Sequence, residues 1–255
     1  MRLPPPGYQY RDGRLFADFM VAGHPPEVRG PAFFTLARSR VWNRAVELGT
    51  AGFGGASLWQ HTWISIYRVF LAFFIACLTA IPIGLAMGMS RIFRGIFDPP
   101  IEFYRPIPPL AYLPLVIIWF GIGEVSKVIL IYLACFAPMA LSTRAGVRSV
   151  SIEQVHVAYS LGATRSQVLW HVVFRAALPE ILTGMRIGIG FGWTTLVAAE
   201  MVAAAGLGYM ILNASEFLMT DVVVMGIVII GLVALFSDLL MRYLEHKLVP
   251  WKGKI

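Results

Sequence analysis

The chain has 255 residues, of which 58% are hydrophobic and only 14% charged, with a net charge of +7. A mean hydropathy of +0.71 and long uncharged runs exclude an ordinary soluble domain and indicate an all-α, polytopic helical bundle in a membrane. The positive charge comes with no nucleic-acid motif, so it fits the basic loops of a membrane protein rather than a nucleic-acid partner.

Residues 1–62 are polar, proline-containing and irregular, with no apolar core of a signal peptide. The predicted membrane domain covers residues 63–248, and residues 249–255 form a short tail. Its first span is Val69 to Met89, an uncharged run long enough to cross ~30 Å of hydrocarbon. The second runs from Pro106 to Gly123. Its prolines remove backbone donors, so its first half should be kinked or unwound. The third covers Val128 to Thr143, the fourth runs from Ile181 to Glu200, and the fifth from Val222 to Met241. Five spans are therefore expected.

Loop charge sets the orientation. Arg91, Arg94 and Arg105 lie between the first two spans, and Arg144, Arg148, Arg165 and Arg175 between the third and fourth. Arg242, Lys247, Lys252 and Lys254 follow the fifth, whereas the alternate loops are poor in base. The basic loops and the C-terminus are thus expected in the cytoplasm. An odd number of spans then puts residues 1–62 outside.

The stretch from Ser151 to Pro179 breaks the membrane pattern. Ser151 with Gln154, and Thr164 with Gln167, are capping-box pairs that start helices. Gly162 can take the left-handed turn that ends the first helix. The second is expected to stop near Ala177, because Pro179 disfavours helix at Leu178. Val155, Ala158, Tyr159, Val168, Leu169, Val172 and Val173 give the pair apolar faces. Such a helical pair either lies on lipid or is gripped by a soluble partner.

Other residues admit two readings. Gly84 and Gly88, and Gly184, Gly188 and Gly192, have the spacing of close helix contacts, within one chain or between two. Arg105 with Pro106, Pro108 and Pro109 forms either a gate hinge or a rigid turn. Glu200 is either a polar helix end or a pathway residue. Asp238 precedes Arg242 by four residues and should pair with it. Cys77 and Cys135 have no metal or redox spacing. The five histidines, His24, His61, His156, His171 and His246, fall outside or at the edges of the spans, and no catalytic pairing or P-loop is present. An intramembrane enzyme is disfavoured on these grounds. A stand-alone channel would have no use for a capped knob.

The segment "SLGATRSQVLWHVVFRAALPEILTGMRIGIGFGW" resembles the loop that marks permease subunits of bacterial ABC importers. In that pattern a Glu-Ala-Ala box precedes Leu-Gly-Ala and a later Leu-Pro. Here His156, Val157 and Ala158 occupy the box, with only the last alanine kept; Leu161, Gly162, Ala163, Leu178 and Pro179 match. The stretches "LWQHTWISIYRVFLAFFIACLTAIPIGLAMGMS", "YRPIPPLAYLPLVIIWFGIGE" and "LVAAEMVAAAGLGYMI" resemble the nitrate, sulfonate and taurine group, closest to its taurine members. The resemblance covers Leu58 to Trp251. It implies a transport subunit in the bacterial inner membrane that hydrolyses nothing itself. It also implies partners: a second permease copy, ATP-binding subunits that hold ATP and Mg, and a periplasmic solute-binding protein. His156, Ala158, Leu161, Gly162, Ala163 and Pro179 would couple to the ATPase, with Arg105, Pro108, Pro109 and Glu200 at a gate or pathway. The solute would be taurine or a related sulfonate, with nitrate or another small anion as the alternative. Members of this group usually begin with one more span followed by a Leu-Pro-x-Pro stretch. This chain starts "MRLPPP", so an additional N-terminal span is expected in the natural protein, the alternative being a five-span core whose tail lies on the membrane surface.

Overall fold

A computed structural model describes residues 52–250. The polar segment up to residue 51, and the tail with Lys252 and Lys254, lie outside the described residues. Helix α1 (Leu58–Met89) starts earlier than the predicted span, because Ser57 and Gln60 form a reciprocal cap. The Gln60 N–H donates to Ser57 Oγ at 3.3 Å, and the Ser57 N–H donates to Gln60 Oε1 at 2.8 Å. The helix thus begins before residue 63, where the predicted membrane domain starts.

The predicted second span is a broken pair. Helix α2 (Arg91–Tyr104) and helix α3 (Pro109–Phe120) meet at a bend of 108°. Helix α4 (Glu124–Arg148) runs back beside them. Three contacts order the pair along α4. Arg144 bonds Asp98, Leu133 O accepts from the Tyr104 hydroxyl at 3.3 Å, and the Ser126 hydroxyl bonds the Gly121 carbonyl. From Arg144 to Ser126, α4 rises roughly 27 Å at about 1.5 Å per residue, close to a hydrocarbon thickness of about 30 Å. The bent pair thus crosses the same depth as α4, and its break lies near the middle.

Helix α5 (Ile152–Ser160) is the short first helix of the knob. The second knob helix does not stop at Ala177. It continues as α6 (Arg165–Glu200), a single 36-residue helix with a π-helical turn at Val168–Val173 and with Pro179 inside it. One missing donor costs the helix a single bond, and neighbouring turns on both sides outweigh that loss. Helix α7 (Leu207–Glu216), which the sequence reading left as loop, precedes α8 (Thr220–Leu248). Helices α1, α4, α6 and α8 are long and apolar enough to cross a membrane, and the broken pair is a fifth where it is counted as one span. The all-α polytopic bundle expected from the sequence is the observed architecture.

Helix α4 is the centre of the bundle. Leu130, Ile131, Cys135, Met139 and Ala140 on it are fully buried. Both glycine series turn toward it, so they serve packing within the chain. A Cβ on Gly84 of α1 would stand 2.6 Å from the Ala140 carbonyl oxygen, and one on Gly192 of α6 would stand 2.9 Å from Cys135 Sγ. In lipid, where burial of apolar surface gives little drive, such backbone approach supplies the attraction. Gly84→Leu should therefore destabilise the protein by about 1–3 kcal/mol through overpacking. Gly95→Ala, where a Cβ meets nothing within 4 Å, should be neutral or stabilising by up to about 1 kcal/mol. Thermal unfolding midpoints of the detergent-purified variants check both.

Candidate functional site

The elbow between α5 and α6 is built by local hydrogen bonds. Ser151 Oγ accepts from the Gln154 N–H at 3.4 Å and opens α5. The Glu153 backbone N–H and the Ser151 hydroxyl hold the Glu153 carboxyl below the usual carboxylate range. Gly162 ends the helix at φ +82°. Its N–H donates to Tyr159 O at 2.9 Å, and the Ala163 N–H donates to Ala158 O at 3.1 Å. Those two bonds are the Schellman pattern, which needs a left-handed residue at the position of Gly162. Thr164 and Gln167 then cap α6 reciprocally, at 2.8 Å and 3.4 Å.

The elbow presents apolar surface outward. Leu161 is 83% exposed, and Ile152, Val157, Tyr159 and Trp170 are exposed with it. His156 is exposed, and its carbonyl accepts from the Ser160 hydroxyl. Ala158 and Ala163 are half-buried, packed against a small core of Val147, Val168, Val173, Ala177 and Ile181. An open cleft of about 980 Å³ lies between α5 and α6, lined by Ser151, Glu153, Val157, His171, Arg175 and Pro179 among others. Five of the six coupling candidates thus cluster at the elbow. Pro179 stands further along α6, on the wall of the same cleft.

Arg105, Pro108 and Pro109 sit together at the break between α2 and α3. The Arg105 N–H closes α2 on Ile101 O at 3.1 Å; Pro108 is extended, and Pro109 is the first residue of α3. A cavity of about 340 Å³ opens there, lined by Tyr104, Arg105, Tyr112, Pro138, Ser142 and Phe191 among others.

Glu200 is elsewhere, at the opposite end of α6 from the elbow. It is fully buried. Its carboxylate accepts from Ser65 Oγ at 2.8 Å, Arg68 Nη1 at 2.7 Å and the Gly208 N–H at 2.7 Å. Arg68 also forks onto Glu124 with two bonds of 2.6 Å, and Lys127 joins Glu124 at 2.8 Å. His61 completes the set. Its Nδ1 accepts from the Gly206 N–H, which leaves Nε2–H to donate to Phe53 O at 3.0 Å. Arg68 escaped the sequence reading. The Ser57–Gln60 cap was the available signal, because it starts α1 at Leu58 and so sets Arg68 three turns inside the helix. Arg186 pairs with Asp238 at 2.6 Å, and Asp238 also takes the expected Arg242 at 2.8 Å.

The cluster fixes α1, α4, α6 and the start of α7 to one another. Arg68→Met would leave Glu200 buried without its cation, a loss of about 3–5 kcal/mol. Glu124→Gln removes the anion that faces the buried Arg68 and Lys127, but Glu124 itself is exposed and Gln still offers Arg68 an acceptor, so it should cost less. Folded yield and unfolding midpoint should therefore fall sharply for the first variant and less for the second.

Comparison with known proteins bears on the whole bundle. Residues 80–250 match the family model described as "Binding-protein-dependent transport system inner membrane component". The chain is 58% identical over 208 residues to the taurine transport system permease protein of Escherichia coli (strain K12), covering 81% of this chain and 76% of that one. It is 39% identical to a putative aliphatic sulfonates transport permease protein of Bacillus subtilis (strain 168), across 77% of this chain and 71% of that one. The nitrate import permease protein of Synechocystis sp. is 32% identical, across 74% and 70%. In three dimensions the fold is similar to an inward-facing structure of the MetNI methionine ABC transporter. The TM-score is 0.65 at 15% identity, over 75% of this chain and 95% of that one. The chain therefore belongs to the binding-protein-dependent transport system inner membrane components, the permease subunits of ABC importers.

Proposed function

We propose that the chain forms the translocation pathway of an ATP-driven importer for taurine or a closely related organic sulfonate. The solute reading rests on the 58% identity with the taurine permease protein. The coupling reading rests on one observation above all, the exposed apolar elbow on a helix continuous with a membrane span. ATP-binding subunits, which carry the ATP and Mg, grip the elbow through Leu161, Val157 and the surface around His156 and Ala158. Gly162 and Ala163 set its angle, and Pro179 lines the cleft beneath. A periplasmic binding protein delivers solute to the opposite end, and two copies of the permease enclose the pathway. The C-terminus and elbow face the cytoplasm, as the basic flanks at Arg148, Arg165, Arg175 and Lys247 favour.

Alternating access follows from this arrangement. When ATP draws the nucleotide-binding subunits together, the gripped elbows move and tilt α6 as a rigid element. The Arg105–Pro109 break is the natural place for the pathway to change shape. The reading is tested with the complex in liposomes. ATPase activity should rise with taurine and alkanesulfonates in the presence of binding protein, and much less with nitrate. Preference for nitrate would move the solute assignment to that branch of the group. Gly162→Val should insert normally but lose the ATPase on co-purification. A β-branched residue at φ +82° is strained by about 1–3 kcal/mol. Full transport by that variant would remove the elbow from coupling. His156→Glu should be tolerated, since the side chain is exposed.

A further inference from the structure

We propose that the cavity at the break between α2 and α3 is a solute site inside the permease, built for a small zwitterion that carries a sulfonate and an ammonium group. It rests on the organosulfonate reading above, and deepens it by naming the residues that would hold the solute in transit. The break lies near mid-depth of the bundle, as the Tyr104–Leu133 contact places it between the Asp98–Arg144 and Gly121–Ser126 contacts. Interrupted helices at mid-depth expose helix ends and unpaired backbone groups where a polar solute needs them.

The lining supplies a cation for the sulfonate and neutral acceptors for the ammonium. Arg105 brings a guanidinium whose planar fork suits the oxygens of a sulfonate. The N-terminus of the 12-residue α3 adds the positive end of a helix dipole beside it. Acceptors for an ammonium come from the opposite wall. Pro138 stands inside α4 and has no N–H, so the Ala134 carbonyl loses its helical partner; both residues line the cavity. The hydroxyls of Tyr112 and Ser142 complete a mixed polar lining among Ile107, Leu133, Ile187 and Phe191. A volume of about 340 Å³ is ample for a small organic ion.

The experiment uses the purified complex in nanodiscs without binding protein. Ile187, 44% exposed on the cavity wall, is replaced by cysteine, and its maleimide labelling is followed site by site by mass spectrometry. Taurine at about ten times its dissociation constant should slow labelling roughly tenfold. Ethanesulfonate, which lacks the ammonium, should protect more weakly. Arg105→Gln should abolish protection by both, and Arg105→Lys should retain part of it, with co-purification of the ATPase confirming assembly. Pro138→Ala restores an N–H for the Ala134 carbonyl, so it should reduce taurine protection to the ethanesulfonate level and leave ethanesulfonate unchanged. Absence of protection by either sulfonate in a complex that still transports taurine overturns the site while the transport reading stands. Equal protection by Arg105→Gln also overturns it. Failure of the unaltered complex to transport any sulfonate overturns the functional reading instead.

Discussion

Backbone contact between α4 and its two neighbours is the constraint on which the bundle depends. Gly84 and Gly88 bring α1 against α4, and Gly184, Gly188 and Gly192 bring α6 against it as well. Lipid tails are as apolar as leucine, so this contact rather than burial holds the three helices. Everything functional is referred to that slab. The elbow extends from one end of α6 and the ion cluster closes the other. The broken span leans along α4 through three contacts at successive depths.

The ion cluster solves the problem that close packing leaves open. Helices held by small residues can slide, whereas a buried charge fixes register because each displacement unpairs it. Arg68 reaches Glu124, Glu200 and the Ala205 carbonyl at once, and so joins α1, α4, α6 and the loop before α7. Gly206, at φ +130°, lets the chain turn tightly beside Glu200. The cost of burying the pair is offset by six bonds of 2.6–2.8 Å to Arg68 and Glu200 within the protein.

Most of the architecture was legible because its signals are local. Uncharged length gave the spans, and the Ser151, Gly162 and Thr164 pattern gave the elbow down to its left-handed residue. What escaped depends on partners distant in sequence. Arg68 looks like a flanking base until Glu200, 132 residues away, is seen beside it. Asp238 reads as the i,i+4 partner of Arg242, and only the fold adds Arg186. Pro179 reads as a stop, yet packing of Ala177, Ile181 and Leu182 into the core carries the helix through it. Helix α2 was hidden by Pro99 and Pro100, although Phe93, Phe97, Ile101 and Tyr104 follow a helical period. Helix α7 was hidden by its shortness.

The unbroken course of α6 has a mechanical consequence. The helix has 36 residues and a length of roughly 54 Å at about 1.5 Å per residue. Its tightest contacts, at Gly184 and Gly188 against Ser142 and Met139, lie near its middle. A rod pinned at the centre behaves as a see-saw with nearly equal arms. The Glu200 arm, however, is bonded to Ser65 and Arg68 of α1 and to Gly208 of α7. A displacement of the Thr164 end would therefore swing those neighbours with Glu200 or be resisted by them.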